Sequence, residues 1–166
     1  MKKLSIALFS IFSIANVSAA TLTVDGGWQK FEFDGVGSSW SETFSFTLTD
    51  QALFSVTDAY NDGDEFSFTD GITTWNTSTA VNDNTNVGSD YDVALASPKF
   101  SSLSVLLSAG SYTITGLATL SPYGGGGAAA RLSSVSAVPI PAAAFLFAPA
   151  LLGFMGLRRK AKNSVA

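Results

Sequence analysis

The sequence contains no cysteine and no histidine. Disulfides, thiol or imidazole catalysis, haem ligation by either residue and Cys/His zinc sites are therefore excluded. Charge is also scarce: 13% of the 166 residues are Asp, Glu, Lys or Arg, about half the usual share of a soluble domain. Basic residues are rarest in the middle, where Thr21 to Ser136 holds only Lys30, Lys99 and Arg131. All thirteen acids lie in that same stretch, between Asp25 and Asp92, and against three bases they leave it at −10. Such a surface repels phosphate backbones and anionic lipid, so no nucleic-acid partner is expected. A sustained helical period is missing between the two ends, and the length allows one domain.

The apolar residues are concentrated at the termini. Residues 1–20 read as a signal peptide, with Lys2 and Lys3 ahead of a twelve-residue uncharged run from Leu4 to Ala15. Small residues then give a signal-peptidase site at Ala19 or Ala20, so the Sec translocon and signal peptidase are expected partners. A second run, Ala142 to Leu157, has sixteen residues without a charge and is followed by Arg158, Arg159, Lys160 and Lys162. As a helix it covers about 24 Å, close to a hydrocarbon core once flanking residues snorkel. The cations fix its inner end, which places residues 21–136 outside the cytoplasmic membrane.

Just before that run stands Val138-Pro139-Ile140-Pro141-Ala142. The order of proline motif, apolar span 142–157, basic cluster and chain end resembles the VPLPA variant of the PEP-CTERM sorting domain of Gram-negative bacteria, over residues 138–162. Ile140 stands in place of the usual Leu, Phe145 where Trp is frequent, and Pro149 interrupts the span. The resemblance implies recognition by exosortase, membrane insertion before processing, and delivery to the cell surface or an exopolysaccharide-rich matrix. Two prolines also hold the segment extended and poor in hydrogen bonds, a form a protease can grip. A plain single-pass anchor that is never cut is the competing reading.

Between the ends, apolar and polar residues alternate with period two. Phe31 and Phe33, then Phe44, Phe46 and Leu48, then Phe54 and Val56, then Phe66 and Phe68 each occupy every second position. Leu103, Val105 and Leu107 repeat the pattern, as do Tyr112, Ile114 and Leu117 with a slip at Gly116. Gly, Asn and Asp punctuate these runs as turns. The expected fold is all-β: an antiparallel, jelly-roll-like β-sandwich over residues 21–132, followed by a linker over 133–137. Eight Phe side chains between positions 31 and 100 must supply much of its cohesion, and truncating a buried one should cost about 3–5 kcal/mol. Outward positions are largely Ser and Thr. The polar segment 76–92 breaks the alternation and reads as a long loop, functional or simply mobile.

Leu53 to Tyr60, then Asp62-Gly63-Asp64-Glu65-Phe66, and later the Ser121-Pro122-Tyr123-Gly124-Gly125-Gly126-Gly127 loop, are similar to a pattern in small extracellular β-domains of bacteria and some eukaryotes. That likeness spans roughly residues 44–132 and implies the fold, not a chemistry.

Asp58, Asp62, Asp64 and Glu65 place four carboxylates within eight residues around a glycine turn. Oxygen ligands on such a turn suit Ca²⁺, although the spacing is not that of an EF-hand, and a solvated strand end explains the cluster equally well. Asn82, Asp83, Asn84, Asp90 and Asp92 form a second polar cluster. A glycosidase needs one carboxylic acid desolvated, and acids on an exposed turn should keep ordinary pKa values. Trp28, Trp40, Trp75, Tyr60, Tyr91 and Tyr123 are candidates for stacking on sugars, with at most two expected to be exposed. The glycine run lacks the Lys-Ser/Thr of a phosphate loop. Three functions stay open: a non-enzymatic surface or matrix protein with no resident cofactor, a Ca²⁺-dependent carbohydrate-binding module, and a glycan hydrolase.

Overall fold

A computed structural model describes residues 18–135. The expected signal up to residue 17, the sorting motif, the 142–157 helix and the basic cluster lie outside the described residues. Among the described residues, no helix is long and apolar enough to cross a membrane.

The described chain is mostly β. One sheet has five strands in the order β1 (Ser18–Thr21), β3 (Glu42–Leu48), β10 (Gly110–Leu120), β6 (Glu65–Thr69) and β7 (Thr74–Asn76). A second has four, in the order β2 (Gln29–Phe33), β11 (Gly126–Ser134), β4 (Ala52–Asp58) and β9 (Ser102–Leu107). A short ribbon pairs β5 (Tyr60–Asn61) with β8 (Asn86–Gly88), and one helix, α1, spans Tyr91–Ala96. Pairing is antiparallel throughout, except that β1 runs parallel to β3.

The period-two rows meet between the two large sheets. Phe44, Phe46, Phe66, Phe68 and Ile114 from the first share one core with Phe31, Phe33, Phe54, Val56 and Leu132 from the second. All eight phenylalanines expected to hold the domain together are buried. Aromatic contacts cross the layer, with ring centroids 6.1 Å apart for Phe31–Phe44 and 5.9 Å for Phe46–Phe54. Outward, the five-stranded sheet carries hydroxyls in register: Ser45 opposite Thr113, and Thr115, Thr69 and Thr74 side by side on three neighbouring strands.

Three expectations change, and the expected processing site falls within a strand. β10 shows no slip at Gly116: Ile114 and Ala118 continue the inward row, and the Trp40 indole lies where a side chain on Gly116 would be. Leu117 therefore faces outward and is 40% exposed. The linker is shorter than expected, because Ser133 and Ser134 extend β11 opposite Leu53 and Ala52, and Ser134 donates its N–H to Asp25 Oδ1 at 2.9 Å. At the other end, Ala19 and Ala20 lie within β1, the edge strand that a cut after either residue would shorten. Finally, segment 76–92 is not one loop. It contains β8 and the start of α1, whose first turn is capped by Asp90 Oδ1 accepting from Val93 N.

α1 packs against β4 and buries Ala94. Asp92 accepts from both Trp28 Nε1 and Arg131, whose guanidinium stacks over the Trp28 ring at 4.3 Å. Six residues give too short a window for a helical period, which is why the sequence pattern does not announce this helix.

Candidate functional site

The acids between β4 and β6 were expected on an exposed turn. They are buried instead: Asp58 and Asp62 are fully covered and Asp64 is 4% exposed. Gly63, at φ +126°, is a turn residue rather than part of a strand, so Asp62 and Asp64 leave it toward different neighbours. The four carboxylates therefore separate into three environments.

Asp58, the last residue of β4, turns its side chain back along its own chain. Oδ1 accepts the Ala59 N–H at 2.7 Å and Oδ2 the Asp64 N–H at 3.2 Å. These bonds clamp a turn in which Tyr60 adopts the left-handed conformation, φ +62°, a strained choice for a bulky residue. Burial pushes the Asp58 carboxyl up to about 8, and the nearby Asp64 adds to the shift. The N–H groups of Ala59, Asp64 and Gly63 oppose it.

Asp64 faces the same corner. Burial raises its pKa, while the Ser121 hydroxyl acts to lower it. Its backbone carbonyl accepts from Ser101 Oγ at 2.6 Å, and Asp58 N donates to the Ser101 carbonyl, so the residue leading into β9 ties the corner to the sheet. The glycine-rich loop before β11 runs beside it: a Cβ on Gly126 would sit 3.3 Å from Asp64 Oδ2. Asp64 Oδ1 and Ser121 Oγ are both buried, and neither has a hydrogen-bond partner.

Asp62 serves a different segment. Its carboxylate accepts the N–H of Thr85 at 3.1 Å and of Asp83 at 3.4 Å, and its own N–H donates to the Thr85 carbonyl. Burial raises its pKa, with a further contribution from Asp83. Lys99 completes the arrangement through Asp83 Oδ2 at 2.7 Å and Thr85 Oγ1 at 2.8 Å, and holds Asp83 well below the usual carboxylate range. Glu65 accepts from Ala80 N at 3.0 Å. Asp62 and Glu65 are thus side-chain posts for the chain from Thr77 to Thr85, which Phe66, Lys99 and Ser102 also hold through their backbones. Replacing Asp62 by Ala strands two N–H groups at a cost of about 1–3 kcal/mol. Limited proteolysis should then cut between residues 77 and 89 roughly tenfold faster or more than in the parent, whereas Asp50→Ala, on the β3–β4 turn, leaves the rate alone. Equal rates for the Asp62 variant and the parent would remove this role.

Among the described residues, no three of His, Cys, Asp or Glu converge as one metal-binding group. The expected set of Asp58, Asp62, Asp64 and Glu65 does not come together; Asp58 and Asp64 do. Of the second polar cluster, Asp83 binds Lys99, Asn82 Oδ1 accepts from Tyr123 Oη, Asp90 caps α1 and Asp92 holds Arg131. Each of these four has a structural partner. The sequence draws attention to Ser121 only as the start of the glycine loop, and Ser101 carries no signal at all.

The aromatic candidates are also mostly spent on packing. Trp40 is 1% exposed and stacks on Phe31 at 4.1 Å. Trp75 packs against the core, and Trp28 and Tyr91 contact each other at 5.8 Å. Only Tyr123, 47% exposed, stands clear of the surface among the six. A groove of about 340 Å³ on the five-stranded sheet is lined by Thr43, Ser67, Thr69, Thr74 and Thr115, with Glu42 its single carboxylate.

No protein-family model matches the chain, and comparison with curated proteins finds no match either.

Proposed function

We propose that this chain is an exported, exosortase-processed protein of the cell surface or extracellular matrix, and that its jelly-roll-like β-sandwich is a structural rather than catalytic unit. The observation that carries this reading is where the fold closes. Every buried hydrophobic residue of the described domain lies between Leu22 and Leu132, and β11 ends at Ser134, three residues short of the Val138 motif. Within the described residues, the two sheets close one core ahead of that motif. Its hydroxyl-rich outer face and its acidic surface suit a hydrated, polysaccharide-rich setting in which solubility matters.

Two further features support a structural role. A hydrolase needs an accessible cleft with two facing carboxylates, and the neighbouring Asp58 and Asp64 lie under cover. A carbohydrate module usually offers exposed rings in a plane, and Tyr123 stands alone.

The test is the mass of the mature protein. Pro139→Ala together with Pro141→Ala allows the apolar helix to extend outward and removes the extended recognition segment. Intact-mass analysis should show the parent chain trimmed near residues 138–142 only when exosortase is present, and the double variant untrimmed. An unchanged mature mass in the double variant would defeat the sorting reading and leave a plain anchor.

A further inference from the structure

We infer that Asp58, Asp64 and Ser121 form a calcium site, closed over by the loop from Ser121 to Gly126. The starting point is charge. Two carboxylates share a corner from which solvent is excluded, Asp58 fully covered and Asp64 4% exposed. Buried carboxylates are protonated, paired with a cation or bound to a metal, since leaving their charge uncompensated in a poorly polarisable interior is costly. Among the described residues, no side chain supplies that cation. Lys30 binds Glu32, Lys99 binds Asp83 and Arg131 binds Asp92, and these three are the only basic residues between Thr21 and Ser136.

Unused oxygens give the second, independent observation. Buried polar atoms almost always have a partner. Asp64 Oδ1 and Ser121 Oγ have none, although Ser121 is 8% exposed and belongs to a different part of the chain. The Ser121 side chain lies close enough to the Asp64 carboxyl to act on its ionisation. A cation bound by both oxygens accounts for two neighbouring buried oxygens that have no hydrogen-bond partner. Asp58 is held ready to join them: the N–H groups of Ala59, Asp64 and Gly63 leave part of its lone-pair capacity free.

The donor set selects the ion. All the ligating atoms are oxygens, the sequence has no His or Cys, and two carboxylates balance one divalent charge. Ca²⁺ accepts a flexible shell of oxygens, including backbone carbonyls and water, whereas Mg²⁺ demands near-octahedral geometry and gives up its waters reluctantly. The proposed site is therefore a structural Ca²⁺ that fastens the β4–β6 turn to the glycine-rich loop. It differs from the contiguous Asp58–Glu65 cluster, because Ser121 replaces Asp62 and Glu65. It does not depend on processing of the tail.

The experiment uses the full chain in detergent, stripped with a chelator and then supplied with CaCl₂ or MgCl₂. Millimolar Ca²⁺ should raise the melting temperature by about 5 °C or more, through binding to the folded state alone, and Mg²⁺ should do much less. Asp64→Asn keeps the shape of the side chain and should abolish the shift. If that variant does not fold, Ser121→Ala, which removes one oxygen, should need at least roughly tenfold more Ca²⁺ for the same shift. No response of the parent chain to Ca²⁺ would overturn the proposal and leave the pair sharing a proton. A shift that persists unchanged in Asp64→Asn, or in Ser121→Ala where Asp64→Asn is unfolded, would place the ion elsewhere and overturn it equally.

Discussion

Replacing Gly116 by alanine lowers the stability of the domain by about 3 kcal/mol, the upper end of the usual cost of overpacking a core. Gly116 sits on the inward row of β10 between Ile114 and Ala118, and the added methyl group would meet the six-membered ring of Trp40 well inside contact distance. The indole cannot retreat. Phe31 stacks on it at 4.1 Å, and Phe44, Phe66 and Phe68 surround it at 6.2, 6.1 and 5.9 Å. Equilibrium denaturation followed by tryptophan fluorescence measures the loss. Shortening the indole gives the control. Trp40→Leu alone also destabilises, but in the double variant with Gly116→Ala the new methyl occupies part of the space left by the indole. The two effects should then fall short of additivity by about 1–3 kcal/mol. Strict additivity would mean that the two positions do not share the space assigned to them.

The second large effect comes from Phe66. Its ring lies 5.0 Å from Phe33, 5.6 Å from Phe31 and 6.1 Å from Trp40, and it is fully buried on β6. Phe66→Ala leaves a cavity walled by aromatic rings that cannot collapse into it, and the expected loss is about 3–5 kcal/mol. A domain of this kind has only about 5–15 kcal/mol in total, so the melting temperature should drop by roughly 10 °C or more. Ile72 provides the contrast. It is as apolar as any core residue but 94% exposed on the β6–β7 turn, which Asp70 holds by accepting the N–H groups of Ile72 and Thr73. Ile72→Ala should change stability by less than about 0.5 kcal/mol. Similar losses at the two positions would contradict the division between core and surface described for this sandwich.

Much of the framework is legible without any coordinates. The rows Phe31/Phe33, Phe44/Phe46/Leu48, Phe54/Val56 and Phe66/Phe68 all become inward faces, because alternation in a strand is a local property: each residue's direction follows from its neighbour's. Trp40 and Gly116 are harder. In the sequence a missing side chain at Gly116 looks like a break in the pattern, whereas the space it leaves belongs to a residue 76 positions away. α1 and β1 are hidden for a related reason, since elements of six and four residues are too short to show a period.

The candidate site shows where local information stops. The sequence brings Asp58, Asp62, Asp64 and Glu65 together as a cluster, and its turn residues make exposure the natural expectation. Burial is decided by segments far along the chain: Ser101 beside β9, Ser121 and Gly126 around the loop before β11, and Thr85 ahead of β8. None of these positions is related to the cluster by spacing.

By itself, then, the sequence determined the material of this protein. Without cysteine the fold has no disulfide and rests on buried phenylalanine. Without histidine or cysteine any metal site must be built from oxygen, and period-two alternation commits the middle of the chain to strands. Only the tertiary structure decided which acids lose contact with water and which of them share a corner. Strand direction is fixed by covalent geometry within two residues, whereas desolvation of a carboxylate depends on every segment that folds over it.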